Sequence, residues 1–407
     1  MKISKIISLS FIAISAACCT PKEEGRISEA EAAAIADSYD YIISTQTFNA
    51  RYGFTGKSRL IETAEIIKGL GCNSIKFSLN PLAADEELNS MINWMPLKLA
   101  TECTTLKTVL DMDFKHTLIW VTTPGVEWAD GMSEEEKTKE YNSMKELTEH
   151  LLTTYKGTGR YFYIGHWEGD WLLLGNYDNT TQTIDPVRIQ GMTDWYNTRQ
   201  KAVEDARKAV NSDVKVYNYA EVNRVTPALY KNYDRMVNKV LPDIDVDYIS
   251  YSSYESIVEE VSGEDYAKLK DYLFKSLDYI EEQLKPRSDI KGKRVFIGEF
   301  GYPLTVVNNS SVNQAKRTAN VLRAAIEWGC PFALYWEMYD NEGDKLGYWM
   351  INSKNVKQPV YYMYEDFCND MHDFVKEYAL ANGQAPGDKE FRTYASDWFS
   401  TYYPRTK

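Results

Sequence analysis

Two carboxylates sit where two aromatic-rich runs break into turns. The stretch Val295-Phe296-Ile297-Gly298-Glu299-Phe300-Gly301-Tyr302-Pro303 carries one Glu out of a strand-like segment into a Gly/Pro turn. Tyr161-Phe162-Tyr163-Ile164-Gly165-His166-Trp167-Glu168-Gly169-Asp170-Trp171 does the same with Glu168. An ionised Glu in such surroundings is costly to desolvate unless it is paired or put to work. Two carboxyl groups flanked by aromatics suit cleavage of a sugar acetal, where one donates a proton and the other attacks or activates water. A gap of about 5–5.5 Å between them permits a covalent glycosyl-enzyme, and a wider gap leaves room for water.

These side chains need elements that bring positions 168 and 299 to one rim. Short runs rich in Ile, Val, Tyr, Phe and Trp occur at Tyr41–Thr47, Ser74–Leu79, Thr117–Thr122, Tyr161–Trp167, Val214–Tyr219, Val246–Ser252, Val295–Glu299 and Phe332–Trp336. They read as strands buried on both faces. Amphipathic stretches fill the gaps. Leu60, Ile61, Ala64, Ile67 and Leu70 form a stripe that stops at Gly71, and Ser133-Glu134-Glu135-Glu136 forms a capping box for a helix towards Tyr155. Helical patterns follow near 194–210, 264–284 and 312–328, the last ended by Gly329. Eight strand-then-helix repeats predict parallel strands closing into an α/β (β/α)8 TIM barrel, with extra helices from about residue 370. An open doubly wound sheet is the competing architecture.

Function in such a barrel gathers at the C-terminal strand ends. Trp120, Trp128, Trp167, Trp171, Trp336 and Trp349 fall there or in the following loops. Their flat faces suit stacking on a sugar ring, although each is equally a core residue type. Asn49, Arg51, Asn218 and Glu221 lie near strand ends and are candidates to line the cleft or to be plain loop residues.

With Glu168 ending the fourth strand, Glu299 the seventh and Trp336 the eighth, the chain resembles the clan A glycoside hydrolases, the cellulase-like TIM barrels, over roughly residues 40 to 368. Gly-Cys-Asn-Ser-Ile-Lys-Phe at the second strand, the Gly-Glu-Phe-Gly-Tyr-Pro turn, Tyr335-Trp336, and Lys357-Gln358-Pro359-Val360-Tyr361-Tyr362 carry the likeness. It implies that Glu168 is the general acid/base, Glu299 the nucleophile and Trp336 the floor of the subsite for the reacting sugar. Two positions depart from the clan pattern. Trp167 stands where Asn usually precedes the acid/base, and Lys76 where Arg is expected at the second strand. His166 is then a candidate for the sugar 2-hydroxyl, although strand alternation points it away from Trp167. Glu299 needs a hydroxyl donor, offered by Tyr251 or, at the strand exit, Tyr254. The apolar surroundings of Trp167 and Trp171 should raise the pKa of Glu168. Asp170 and Glu337 are its rivals, and Glu337 should point outward by alternation.

Composition and motifs narrow the class further. The net charge of −13 over 407 residues and the lack of a basic stripe argue against nucleic acid as a partner. The four histidines (116, 150, 166 and 372) show no metal spacing, and no cofactor is expected. Gly56-Lys57-Ser58 ends like a P-loop, but the first required glycine falls at Arg51. Cys72, Cys103, Cys330 and Cys368 form no CxxC, and Cys72 and Cys330 read as buried thiols. Lys2 and Lys5 followed by the apolar run Ile6 to Ala17 read as a signal segment over residues 1–17. Ser15-Ala16-Ala17-Cys18 resembles a lipobox with lipid on Cys18 or Cys19, and Lys22-Glu23-Glu24 resembles a surface-display tag. Residues 18–38 then form a tether or first helix, and 39–407 the barrel with its extension. The sequence thus predicts a monomeric, lipid-anchored outer-membrane glycosidase that touches the membrane only through its anchor and takes a carbohydrate substrate. A glycan-binding lipoprotein on a decayed barrel and a scaffold or adhesion protein are the alternatives.

Overall fold

A computed structural model describes residues 27–80, 90–343 and 345–405. Its eight strands are β1 (Ile43–Thr45), β2 (Ser74–Ser78), β3 (His116–Trp120), β4 (Tyr161–Gly165), β5 (Lys215–Val222), β6 (Tyr248–Ser252), β7 (Val295–Phe300) and β8 (Ala333–Tyr335). All neighbours pair in parallel, in the order β1-β8-β7-β6-β5-β4-β3-β2. A single bridge between Gln46 and Lys76 joins β1 to β2, supported by the Thr47 N–H donating to the Lys76 carbonyl at 3.0 Å. The ring is therefore the expected TIM barrel, and every expected strand is present within a few residues.

Strand alternation produces two cores. Outward positions such as Ile75, Phe77, Ile119, Ile164, Val216 and Ile249 pack under the helices. Inward positions fill the barrel with Leu118, Tyr163, Tyr219, Phe296, Phe332 and Leu334, the layered side-chain filling of this fold. The Ser133 capping box opens the helix Glu134–Thr154, where the Ser133 hydroxyl accepts from the Glu136 N–H and the Glu136 carboxylate from the Ser133 N–H. Gly329, at φ 98°, ends the helix Ser311–Trp328 as expected. The eighth barrel helix, Pro359–Asn382, begins before the expected C-terminal extension, and the helix Asp388–Thr401 packs on Ser311–Trp328. A first helix, Glu29–Asp37, lies against Pro359–Asn382. Cys72, Cys103, Cys330 and Cys368 are all buried free thiols. Among the described residues no helix is long and apolar enough to cross a membrane. Cys18, Cys19 and the proposed signal segment lie outside the described residues.

One irregularity shapes the upper rim. Between β6 and β7 the register jumps, Tyr251 opposing Ile297 while Ser252 opposes Glu299. The extra residue is Gly298. A β-bulge of this kind re-aims the side chain that follows it. A Cβ on Gly298 would sit 1.7 Å from the Ser250 hydroxyl oxygen and 3.2 Å from a Glu221 carboxylate oxygen, so only glycine fits.

Candidate active site

The bulge turns Glu299 into the barrel mouth, where the middle of β2 supplies Lys76. The ammonium lies 3.3 Å from Glu299 Oε1, 2.7 Å from Glu221 Oε2 and 3.1 Å from the Gly298 carbonyl. Lys76 and Glu221 are fully buried. Desolvating two charges costs several kcal/mol per ion, which only close pairing and further hydrogen bonds offset. Glu221 has both: the Ser250 hydroxyl donates to it at 2.6 Å and the Glu168 N–H at 3.0 Å. The third carboxylate, Glu168, leaves the turn after β4. Ser252 Oγ lies 2.6 Å from Glu168 Oε1 and 3.3 Å from Glu299 Oε2. Those contacts bring the two facing oxygens within about 6 Å of each other, in the range of catalytic carboxyl pairs.

Electrostatics follow from three buried carboxyl groups around one ammonium. Burial pushes Glu168 up to about 7, with Glu221 and Asp170 adding repulsion against the pull of the Ser252 hydroxyl. Burial likewise lifts Glu299 well above the usual carboxylate range, with Lys76 opposing the rise and Glu221 and Glu168 reinforcing it. The two carboxyl groups titrate as one pair joined through a hydroxyl.

A cavity of about 660 Å³ opens above this pair. Trp336 and Trp120 form one wall, bridged by Phe48, whose ring centroid is 5.4 Å from that of Trp336 and 3.9 Å from that of Trp120. Lys76 also sits 4.7 Å from the Trp120 ring centroid. Trp167, Trp171, Asn49 and Tyr254 complete the expected lining, joined by Asn341, Glu342 and Tyr348.

Other expected positions lie elsewhere. Tyr251 faces the helix layer, where its hydroxyl contacts Glu255 and Ser256, because alternation along β6 turns it away from the mouth. Among the described residues the hydroxyl that reaches Glu299 belongs to Ser252, not to Tyr251 or Tyr254. His166 also points outward. Its Nδ1 meets the Trp167 carbonyl at 2.6 Å and its Nε2 the Tyr196 hydroxyl, and burial with nearby Arg199 drives its pKa down to about 3. It lines a separate hollow behind Trp167, not the main cavity. Asn218 bonds Gln200 in the helix layer, and Arg51 donates to the Asn341 carbonyl.

Neither rival acid faces the cavity. Asp170 accepts the N–H groups of Asn223, Arg224 and Met236, tying loops together. Glu337 is buried against the Asn341 N–H.

Glu221 and Ser252 were the residues the sequence underplayed. Glu221 shares inward parity with Tyr217 and Tyr219, a signal lost by ending the fifth strand at Tyr219 instead of Val222.

With this geometry the chain can be compared with known proteins. No family model matches it, and no curated protein matches it. Solved structures do. A GH5_18 protein from Streptomyces cattleya aligns at TM-score 0.55 and 10% identity, covering 80% of each chain. The exo-β-1,4-mannosidase from Opitutaceae bacterium strain TAV5 gives 0.53 at 11% identity, over 82% of this chain and 60% of the mannosidase. A family 5 xyloglucanase from Paenibacillus pabuli gives 0.50 at 14%, over 82% of this chain and 98% of the enzyme. The fold is that of the TIM-barrel glycoside hydrolases. At such identities the likeness concerns the barrel alone.

Proposed function

We propose that the protein is a retaining glycoside hydrolase acting on a glycan through Glu168 and Glu299. The observation that carries this reading is the Ser252 hydroxyl touching both carboxyl groups across the barrel mouth. Burial lifts both acids, so the pair keeps one proton towards neutral pH, while retaining cleavage needs one protonated and one ionised carboxyl group. Lys76 stands beside Glu299, which makes Glu299 the partner that ionises. Glu168, facing Glu221 and a neutral hydroxyl, holds the proton.

In the first step Glu299 attacks the anomeric carbon as Glu168 gives its proton to the departing oxygen, leaving a glycosyl ester on Glu299. In the second, Glu168 takes a proton from water as that oxygen attacks the same carbon, and the sugar leaves with Glu299 free again. Trp336 and Trp120 offer faces for ring stacking. The Streptomyces cattleya protein was solved with Manβ1-4GlcNAc, and the Paenibacillus pabuli enzyme is a xyloglucanase, so β-linked glycans are the first substrates to test. Glu299→Gln should lower kcat by at least about 10³-fold. Activity within tenfold of wild type on a cleaved glycan would discard the nucleophile assignment, and NMR of the first-formed anomer checks retention.

A second reading, glycan binding without cleavage, draws on Lys76 lying nearer Glu221 than Glu299. Binding with no release of reducing ends across pH 4–8 would select it. We also propose, on residues 15–18 alone, an outer-membrane lipoprotein acylated at Cys18. Retention of lipid label by Cys18→Ala would move the site to Cys19, and absence of label from the wild-type chain would remove the anchor from the proposal.

A further inference from the structure

The charges around the cavity carry a conclusion about which glycans it admits, one that rests on the glycosidase reading of the same cleft. The two described cations that floor or line the mouth are held by carboxylates. Lys76 is shared by Glu221 and Glu299. Arg224, beneath Trp171, is gripped by Glu259 at 2.7 Å and Glu255 at 3.5 Å. Arg51 gives its Nε to the Asn341 carbonyl from outside the cavity lining, exposed to solvent, and its charge is drawn towards Glu342.

Two acceptors in the cavity lining are unmatched. Asn341 Oδ1 and Glu342 Oε2 are buried atoms with no hydrogen-bond donor among the described residues. Both lie on the loop after β8, just beyond Trp336. A buried acceptor left unpaired costs about 1–3 kcal/mol, which a ligand hydroxyl placed there recovers. An anionic group at the same place would meet Glu342 and the carboxyl pair, while the one described cation in the lining, Arg224, is already taken by Glu259 and Glu255 and cannot offset the desolvation of the new charge. The hollow behind Trp167, walled by Trp120, Trp128 and Trp195, offers no cation either, because its one titratable residue, His166, is driven down to about 3 by burial and Arg199.

We propose that the cleft selects uncharged, hydroxyl-rich glycans and rejects uronate-, sulfate- and phosphate-bearing ones, with Asn341 and Glu342 accepting hydroxyls of the ring stacked on Trp336. The substrate class is set by a lining in which Glu168, Glu259, Glu299 and Glu342 face one arginine that is already paired, the reverse of a uronate site, where a free Arg or Lys points into the cavity.

The test uses the full chain and the Glu299→Gln variant against β-mannan, mixed-linkage β-glucan and xyloglucan on one side, and polygalacturonate, glucuronan and a sulfated galactan on the other. Binding is read by affinity electrophoresis at pH 8 and moderate salt, above the value of about 7 to which burial lifts Glu342, and cleavage by reducing ends at pH 6. We expect at least one neutral glycan to be retained, with anionic ones at least about 100-fold weaker. Asn341→Ala and Glu342→Gln should weaken the neutral ligand about three- to tenfold, and Glu342→Arg should narrow the gap to uronates. Anionic glycans bound within tenfold of neutral ones, or no glycan bound at all, would overturn the inference. Neutral binding without any cleavage by wild type would instead overturn the hydrolase reading and leave the selectivity standing.

Discussion

The two ends of the barrel enclose cavities of similar size, about 660 Å³ at the C-terminal rim and about 610 Å³ at the N-terminal rim. Both are lined by aromatics and contain acids, bases and a histidine nearby. They differ in how charge is balanced. At the lower rim Asp40 is matched by Lys115 at 2.8 Å and His116 at 2.7 Å, and Asp388 by Arg392 at 2.7 Å. At the upper rim Glu168, Glu221 and Glu299 crowd around Lys76 alone. His116 and Lys115 hold Asp40 down at about 2 against its burial, whereas burial, with Glu221 and Asp170 adding repulsion, lifts Glu168 to about 7. Size and aromatic lining therefore do not distinguish the candidate active site from the cavity at the other end. The ratio of carboxylates to cations does.

The sharpest way to break that contrast is at the acid. Glu168→Ala should cut kcat on substrates with poor leaving groups by about 10³-fold, with azide restoring turnover and yielding a glycosyl azide of retained configuration. A variant with near-normal turnover would place the acid elsewhere. A smaller effect is expected at Glu221, whose charge raises both partners. Glu221→Gln should lower kcat about tenfold and move the alkaline limb of its pH profile, where Glu168 loses its proton, down by about one unit. An unmoved limb would mean that Glu221 only anchors Lys76.

The least effect is expected at the lower rim. Asp40 has a folded-state pKa below the ordinary 3.8, so its contribution to stability is present above about pH 4 and fades as pH falls towards 2. Because its carboxylate is half exposed, Asp40→Asn should cost only about 1 kcal/mol at pH 7 by denaturant titration, with kcat unchanged. A loss of activity would give the lower cavity a role the charge argument denies it.

Much of this was legible in the residues themselves. Short aromatic and β-branched runs located all eight strands, and the Glu at the end of the fourth and of the seventh run located the carboxyl pair, because a buried Glu at a strand end has few structural explanations. The donor to Glu299 was not legible. A tyrosine hydroxyl was expected there, but alternation along β6 turns Tyr251 outward and Ser252 inward, and the bulge at Gly298 then brings Ser252 opposite Glu299; bulges depend on pairing between strands distant in sequence. His166 illustrates the same limit in reverse: its side of the strand was readable, while its locking by Tyr196 needed the packed helix layer.

Gln46 and Lys76 meet at the one seam where the ring is stitched by a lone bridge, and both reach the Gly298 carbonyl from within. Mechanical closure and electrical poise thus hang on the same lysine. If the first strand drifts from the second, the ammonium recedes from Glu299, and we expect the enzyme to fall silent well before the barrel melts. Amide exchange at Thr47 that quickens in step with inactivation on warming would reveal this coupling; exchange that stays slow until global unfolding would refute it.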